Sequence, residues 1–207
     1  MKRGEVVAGS KTALVTGASK GIGRCYALQL AELGYNVVMV SLAEASLEKT
    51  AQEVAEVNSK VWVRHYAKDL ATITAAEELF SWTEQEGIKV DVLINNAGMF
   101  SFCDILNTPT ERIERTILLH DMTTTKMCRI YADDMAKRGG GYILNMSSYS
   151  IWMPYPGLSL YSASKAYLKS FSVAFSKEVR EKGVYVTVIC PAGIATDLYG
   201  LSKDLQK

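Results

Sequence analysis

Six short runs rich in β-branched residues recur along the chain, and a segment with helical periodicity stands between each and the next. The runs are Thr12–Thr16, Asn36–Val40, Lys60–Arg64, Val90–Asn95, Tyr142–Met146 and Val184–Cys190. The intervening helices are expected over Ile22–Leu33, Glu44–Val57, Thr74–Glu86, Glu111–Lys137 and Tyr161–Lys182. Gly34, Gly87, Gly139-Gly140-Gly141 and Gly183 stand where four of them must stop, since glycine takes the left-handed backbone of a helix C-terminus. Most of the runs lack strict two-residue alternation. Strands of that kind are buried on both faces, and strands alternating with helices make a parallel sheet. The fold class is therefore α/β, a doubly wound parallel sheet in three α/β/α layers, with residues 1–207 as one domain and no linker, repeat or low-complexity tract.

Composition narrows the function. Of 207 residues, 48% are hydrophobic and 22% charged, which suits one domain with a sizeable core. With 23 basic and 22 acidic residues well mixed, no basic stripe points to nucleic acid. The apolar stretches are of strand length, too short to span a membrane, and no apolar run follows the basic residues of Met1–Lys11 as in a secretory signal. Four cysteines, Cys25, Cys103, Cys128 and Cys190, have no paired spacing, which fits reduced thiols in a cytoplasm. With only two histidines, His65 and His120, no metal centre is expected.

The first strand runs into Thr16-Gly-Ala-Ser-Lys-Gly-Ile-Gly23. Gly17, Gly21 and Gly23 allow a tight turn and close approach of a pyrophosphate, while the following helix offers free N–H groups and its positive dipole end. In an open α/β sheet the ligand lies across the carboxyl ends of the strands, at the switch point. Asp69 follows the third run there, Asn95-Asn-Ala-Gly98 ends the fourth, Ser147-Ser148 ends the fifth, and Pro191-Ala-Gly-Ile-Ala-Thr196 follows the sixth. Each alone is ordinary turn chemistry; their gathering on one edge is what carries weight. Tyr161 and Lys165 are spaced to share one helix face. A free phenol titrates near about 10, and a neighbouring ammonium lowers that value toward useful acid–base chemistry.

In this order these motifs resemble the short-chain dehydrogenase/reductase family, and the resemblance covers Thr12 to Thr196. It implies a Rossmann fold in which a nicotinamide cofactor exchanges hydride with a carbonyl or alcohol. Tyr161 would be the general acid in reduction, Lys165 would lower its pKa and hold the nicotinamide ribose, and Ser148 would polarise the carbonyl. Gly17, Ser19, Lys20, Gly21, Ile22, Gly23 and Ser41 would line the phosphate and ribose end. Asp69 would meet the adenine, Asn96, Ala97 and Gly98 the adenosine ribose side, and Ile194 and Thr196 the carboxamide. Family dimers pack two long helices as a four-helix bundle, so a homodimer or homotetramer is expected; Ile113, Ile117, Leu168 and Phe175 offer stripes for it and could equally pack on their own sheet.

Three departures stand out. His120 falls where many members carry a catalytic Asn, which leaves either a shifted alignment, a tolerated substitute or a real change; a histidine there is expected to bind water and titrate near neutrality. Pro191-Ala192 replaces the usual Pro-Gly. Members also continue for several tens of residues with a substrate lid and a seventh strand, so at Lys207 these are expected to be absent or truncated. For the cofactor, no acid follows Val40-Ser41-Leu42 to repel a 2′-phosphate, and Lys20 could pair with one; NADP(H) is favoured over NAD(H), although Leu42 stands where many NADP-preferring members have Arg. Met99, Phe100, Phe102, Trp152, Met153, Tyr155 and Leu158 would wall an apolar pocket for a ketone, 3-oxoacyl or steroid-like substrate, unless they are core. The competing expectation is a non-catalytic nucleotide-binding sensor of the same fold.

Overall fold

The computed structural model describes residues 7–100 and 102–193. Six parallel strands form one sheet in the order β3-β2-β1-β4-β5-β6. They are β1 (Thr12–Thr16), β2 (Asn36–Ser41), β3 (Val63–Ala67), β4 (Val92–Asn95), β5 (Gly141–Met146) and β6 (Val184–Ile189). The helices are α1 (Gly21–Glu32), α2 (Glu44–Val57), α3 (Ala75–Gln85), α4 (Thr110–Ile117), α5 (Thr124–Lys137) and α6 (Ser159–Val179). The chain builds outward from β1 to β3, then returns to lay β4 on the other side of β1. That reversal leaves a crevice between the carboxyl ends of β1 and β4.

Every residue of β1 is buried, as a strand covered on both faces must be. Ala13 and Val15 join Val37, Met39 and Ile94 in a core beneath α1 and α2, which contribute Ala27, Leu47 and Val54. Leu14, Val38, Val40, Leu93 and Ile143 point the opposite way into a second core. There Leu79 of α3 and Met127, Tyr131 and Met135 of α5 cover them. Leu168 of α6 is 2% exposed and Phe175 packs partly buried against this second core, so both belong to the sheet and not to an outer stripe. Ile117, Met122, Tyr167 and Val173 are the exposed apolar residues of these helices. No helix among the described residues is long and apolar enough to cross a membrane.

Most element ends shift by one to three residues from the sequence expectation, among them β4, which starts at Val92 and not Val90, and α6, which runs Ser159–Val179 and not Tyr161–Lys182; the third strand and the long helix differ most. The third strand starts at Val63, not Lys60, because the Val61 N–H donates to Asn58 O (3.2 Å), closing a turn over 58–61, and Asn36 Oδ1 accepts the Trp62 N–H (3.1 Å). β3 pairs only with β2, and as an edge strand it tolerates Arg64 and, past its expected end, the polar His65 and Tyr66. The long helix is continuous in direction but not in pitch: Leu118–Thr123 forms a π-helical turn between α4 and α5. The run Met122-Thr123-Thr124-Thr125 is poor in helix formers. Thr124 Oγ1 donates back to Leu119 O (3.4 Å) and Thr123 Oγ1 leaves the helix to donate to Leu70 O (2.8 Å).

A buried polar knot lies under the crevice. Asn95 Nδ2 donates to Asn145 Oδ1 (2.8 Å), and Asn145 Nδ2 donates to Ser172 Oγ (2.8 Å). The Cys128 thiol completes it, accepting from Asn95 Nδ2 at 3.5 Å and from Asn145 Nδ2 at 3.4 Å. Burial pushes that thiol up to about 12, against the two amides that lower it. The knot ties β4 and β5 to α5 and α6. Asn145→Ala should therefore cost about 2–4 kcal/mol, from a cavity plus unmet donors and acceptors. Urea unfolding checks this; an unchanged midpoint would mean the knot adds no stability.

Candidate active site

The carboxyl edge of the sheet opens into a cavity of about 320 Å³. One end is made by the turn after β1. Gly17 (φ 65°) and Gly21 (φ 56°) take left-handed backbone that only glycine adopts freely. At Gly23 the need is closeness: an added Cβ would lie 2.2 Å from Gly17 O and 2.6 Å from Asn96 Nδ2. No side chain caps α1, so its first N–H groups are left for a ligand. Such a cradle fits a pyrophosphate.

Asn96 and Thr16 stitch this turn to the end of β4. Asn96 Nδ2 donates to Thr16 O (3.0 Å) and Gly17 O (3.3 Å). Thr16 Oγ1 accepts from the Asn96 and Ala97 N–H groups (3.0 and 2.9 Å) and donates to Ile94 O (3.3 Å). Asn96 thus shapes the cradle with its amide donors, while Ala97 and Gly98 line the cavity.

Farther along, Ser19 Oγ and Ser41 Oγ share a hydrogen bond (2.8 Å), with Lys20, Ile22 and Leu42 beside them on the cavity wall. Asp69 lies past β3, where Oδ1 accepts the Ala71 N–H (2.8 Å) and Oδ2 accepts Arg115 Nη2 (2.9 Å). Burial would raise that carboxyl; the Ala71 N–H, Arg115 and Lys68 outweigh it and hold the group below its usual range. Arg115 was not anticipated from sequence. It sits in the last turn of α4 with no motif around it, and only the folded chain brings it to Asp69.

Ser148, Tyr161 and Lys165 line the other end of the cavity. Ser148 lies two residues past β5 and accepts the Ser150 N–H on Oγ (3.2 Å), starting a 3₁₀ turn over Tyr149–Trp152. Tyr161 is 6% exposed, its ring edge-on to Phe100 at 5.1 Å. Lys165 is 4% exposed; Nζ donates to Met146 O (3.0 Å) and lies 5.8 Å from the Tyr161 ring centre. Burial lowers its ammonium to about 8, with Asp121 pulling the other way. A buried cation one helical turn from a phenol is the arrangement that favours phenolate.

His120 corrects an expectation. It is fully buried, and both ring nitrogens are engaged: Nε2 accepts the Met99 N–H (3.0 Å) and Nδ1 meets Ser164 Oγ (2.8 Å). Ser164 Oγ spends its proton on Tyr161 O (2.8 Å), so Nδ1 carries the imidazole proton and donates. Burial, then the Lys165 charge, pushes the imidazole well below its ordinary value. His120 is therefore a neutral strut between the loop after β4 and α6, not a group titrating near neutrality. It still sits at the site, since a Cβ added to Gly98 would lie 3.1 Å from His120 Nε2 and 3.4 Å from Lys165 Nζ.

The apolar wall is partly rim. Met99 lines the cavity, while Phe102, Trp152, Met153 and Tyr155 are 52–63% exposed and so are not core. Phe102 and Tyr155 stack at 6.3 Å. Ile194 and Thr196 lie outside the described residues.

Gly23→Ala should weaken binding of a dinucleotide at least about tenfold, roughly 1.4 kcal/mol, without unfolding the sheet. NADPH fluorescence titration with a circular dichroism control measures it, and wild-type affinity would remove the turn from its role.

Comparison with known proteins agrees with this geometry. The family model for short chain dehydrogenases matches residues 11–205. A very-long-chain 3-oxoacyl-CoA reductase of Pyricularia oryzae is 35% identical over 179 residues, covering 86% of this chain and 54% of that protein. A 17-beta-hydroxysteroid dehydrogenase type 3 of Danio rerio is 32% identical, covering 93% of this chain and 64% of its own length. The chain thus spans about half to two-thirds of the length of such relatives. Among solved structures, a bulky-bulky ketone specific alcohol dehydrogenase from Comamonas testosteroni superposes with a TM-score of 0.83 at 32% identity, covering 89% of this chain and 73% of that one. A short-chain dehydrogenase from Sphingobium yanoikuyae in complex with NADPH gives 0.86 at 30%, covering 92% and 73%. With a family model spanning nearly the whole chain and the glycine cradle, Ser148, Tyr161 and Lys165 on one sheet edge, this chain belongs to the short-chain dehydrogenase family.

Proposed function

We propose that the chain is an NAD(P)(H)-dependent oxidoreductase that interconverts a carbonyl and an alcohol, with NADP(H) favoured over NAD(H). The observation that carries this is the buried Lys165 ammonium, pinned to Met146 O beside Tyr161 at one end of the cavity. A cation is costly to bury without a counter-charge in contact. A phenol whose ionisation it promotes gives that cost a purpose.

The residues fit a nicotinamide dinucleotide: the glycine cradle for the pyrophosphate, Ser41 and Lys20 toward the adenosine end, Asp69 past it, Lys165 at the nicotinamide ribose. When bound, that cofactor supplies or accepts the hydride. In reduction the Tyr161 hydroxyl donates the proton to the carbonyl oxygen, and in oxidation Tyr161 accepts it back. Lys165 keeps the Tyr161 pKa low enough for both directions. Ser148 orients the carbonyl by donating to its oxygen. His120 carries no proton in this scheme; it holds Met99 and Ser164 in place.

The relatives named as acting on 3-oxoacyl-CoA, steroids and bulky ketones, together with the Phe100–Phe102–Tyr155 wall, support an apolar ketone, 3-oxoacyl or steroid-like substrate. The exposed Ile117, Met122, Tyr167 and Val173 support a homodimer through α4, the π-turn and α6, and four free thiols accord with a reducing cytoplasm.

Tyr161→Phe should lower turnover on the order of a hundred- to ten-thousand-fold while NADPH affinity holds; full activity on a panel of bulky ketones would refute the assignment. Lys20→Ala should weaken NADPH binding about tenfold and leave NADH within about twofold, as loss of a phosphate-paired point charge requires. Equal loss for both cofactors would count against an NADP(H) preference.

A further inference from the structure

The π-turn delivers two titratable residues in succession. His120 goes inward and is used up. Asp121 is not: its Oδ1 is buried and has no hydrogen-bond donor. About one turn on, Thr125 Oγ1 and the Tyr167 hydroxyl share a hydrogen bond (2.9 Å), so this flank of the helix faces α6, the helix that carries Lys165. The His120–Ser164 contact (2.8 Å) on one side and the Thr125–Tyr167 contact (2.9 Å) on the other bracket Asp121 and Lys165 on the two packed segments; the two make no direct ion pair, but the Asp121 Oδ1 and the Lys165 side chain are both buried. In the protein interior a unit charge reaches farther than in water.

The surroundings leave this pair to itself. From α6 come Lys165, Tyr161 and Tyr167. From the π-turn comes His120, held neutral. From α4 comes Arg115, committed to Asp69. The strand end at Met146–Ser148 and the loop at Asn96–Met99 bring no titratable side chain. Lys165 is the charge that reaches the Asp121 carboxyl.

We infer that Asp121 is a positioning residue for the charge on Lys165: its carboxylate keeps the buried ammonium protonated through neutral pH, so that Tyr161 stays tuned. Burial raises the Asp121 carboxyl to about 6, with Lys165 pulling it down. Lys165 itself loses its proton near about 8. Between those values one group is ionised and the other protonated, and the site carries its working charges. Removing the carboxylate withdraws the interaction that raises Lys165, so the ammonium discharges at lower pH and the window narrows from its alkaline side.

This inference rests on Lys165 tuning Tyr161, and its test does not require turnover. Full-chain protein labelled with 13Cε-lysine is titrated by NMR, the Lys165 signal being assigned by its loss in Lys165→Met. Wild type should show a main midpoint near about 8 and a small inflection near about 6 from Asp121. In Asp121→Asn the inflection disappears and the main midpoint falls by at least about 0.5 pH unit. A midpoint unmoved in folded Asp121→Asn, or a wild-type curve without the inflection, overturns the inference; the second result decides even where the variant fails to fold. An inactive protein with both signatures would keep the inference and sink the catalytic proposal, and the reverse result would do the opposite.

Discussion

The Thr16 hydroxyl holds the place where the topology changes direction. The chain leaves β1 toward one edge of the sheet and comes back through β4 toward the other. At their carboxyl ends these strands would be free to splay. Thr16 Oγ1 accepts two N–H groups from the loop after β4 and donates to Ile94 O, while Asn96 reaches back to two carbonyls of the β1 turn. The glycine cradle, the Asn96-Ala97-Gly98 wall and the position of Met99 all follow from that junction. Through the Met99 N–H it extends to His120, and through His120 to Ser164 and α6. The two ends of the cavity are thus joined by one run of short hydrogen bonds.

Much of this could be read from the chain. β1 and α2 fall at their expected bounds because each is locally consistent: an apolar Ala-Leu-Val centre between two β-branched threonines, and an amphipathic segment with Glu44 in its first turn. Glycine punctuation located the other helix ends. β3 was displaced because its register is set by the Asn36 side chain, a long-range contact with no local trace. Nor could the π-turn be seen, since helical periodicity does not distinguish one wide turn from an ordinary one. Ser148, Tyr161 and Lys165 were legible as a pattern and as a family resemblance. Arg115 was not, because its meaning lies in Asp69, far away in sequence.

His120 shows the limit of reading a residue by its intrinsic chemistry. A histidine in water titrates near neutrality, which suggested a water-binding, titrating group at this position. Here two fixed partners saturate its nitrogens and burial removes the charged form. Its neighbour Asp121, unremarkable as a letter in a helix, keeps a buried carboxylate oxygen without a hydrogen-bond partner. Which of two adjacent residues is electrically active was decided by the π-turn that aims them, not by their side-chain type.

The polar knot beneath the cavity has a consequence for observing motion. Cys128 touches both Asn95 and Asn145, is wholly buried, and its thiol is held far from thiolate. In the closed fold it is silent toward thiol reagents, because both access and ionisation are denied. Any event that parts α5 from the strand ends restores both at once. The chain thus carries a built-in chemical clock, whose rate of labelling counts how often the floor of the site comes apart.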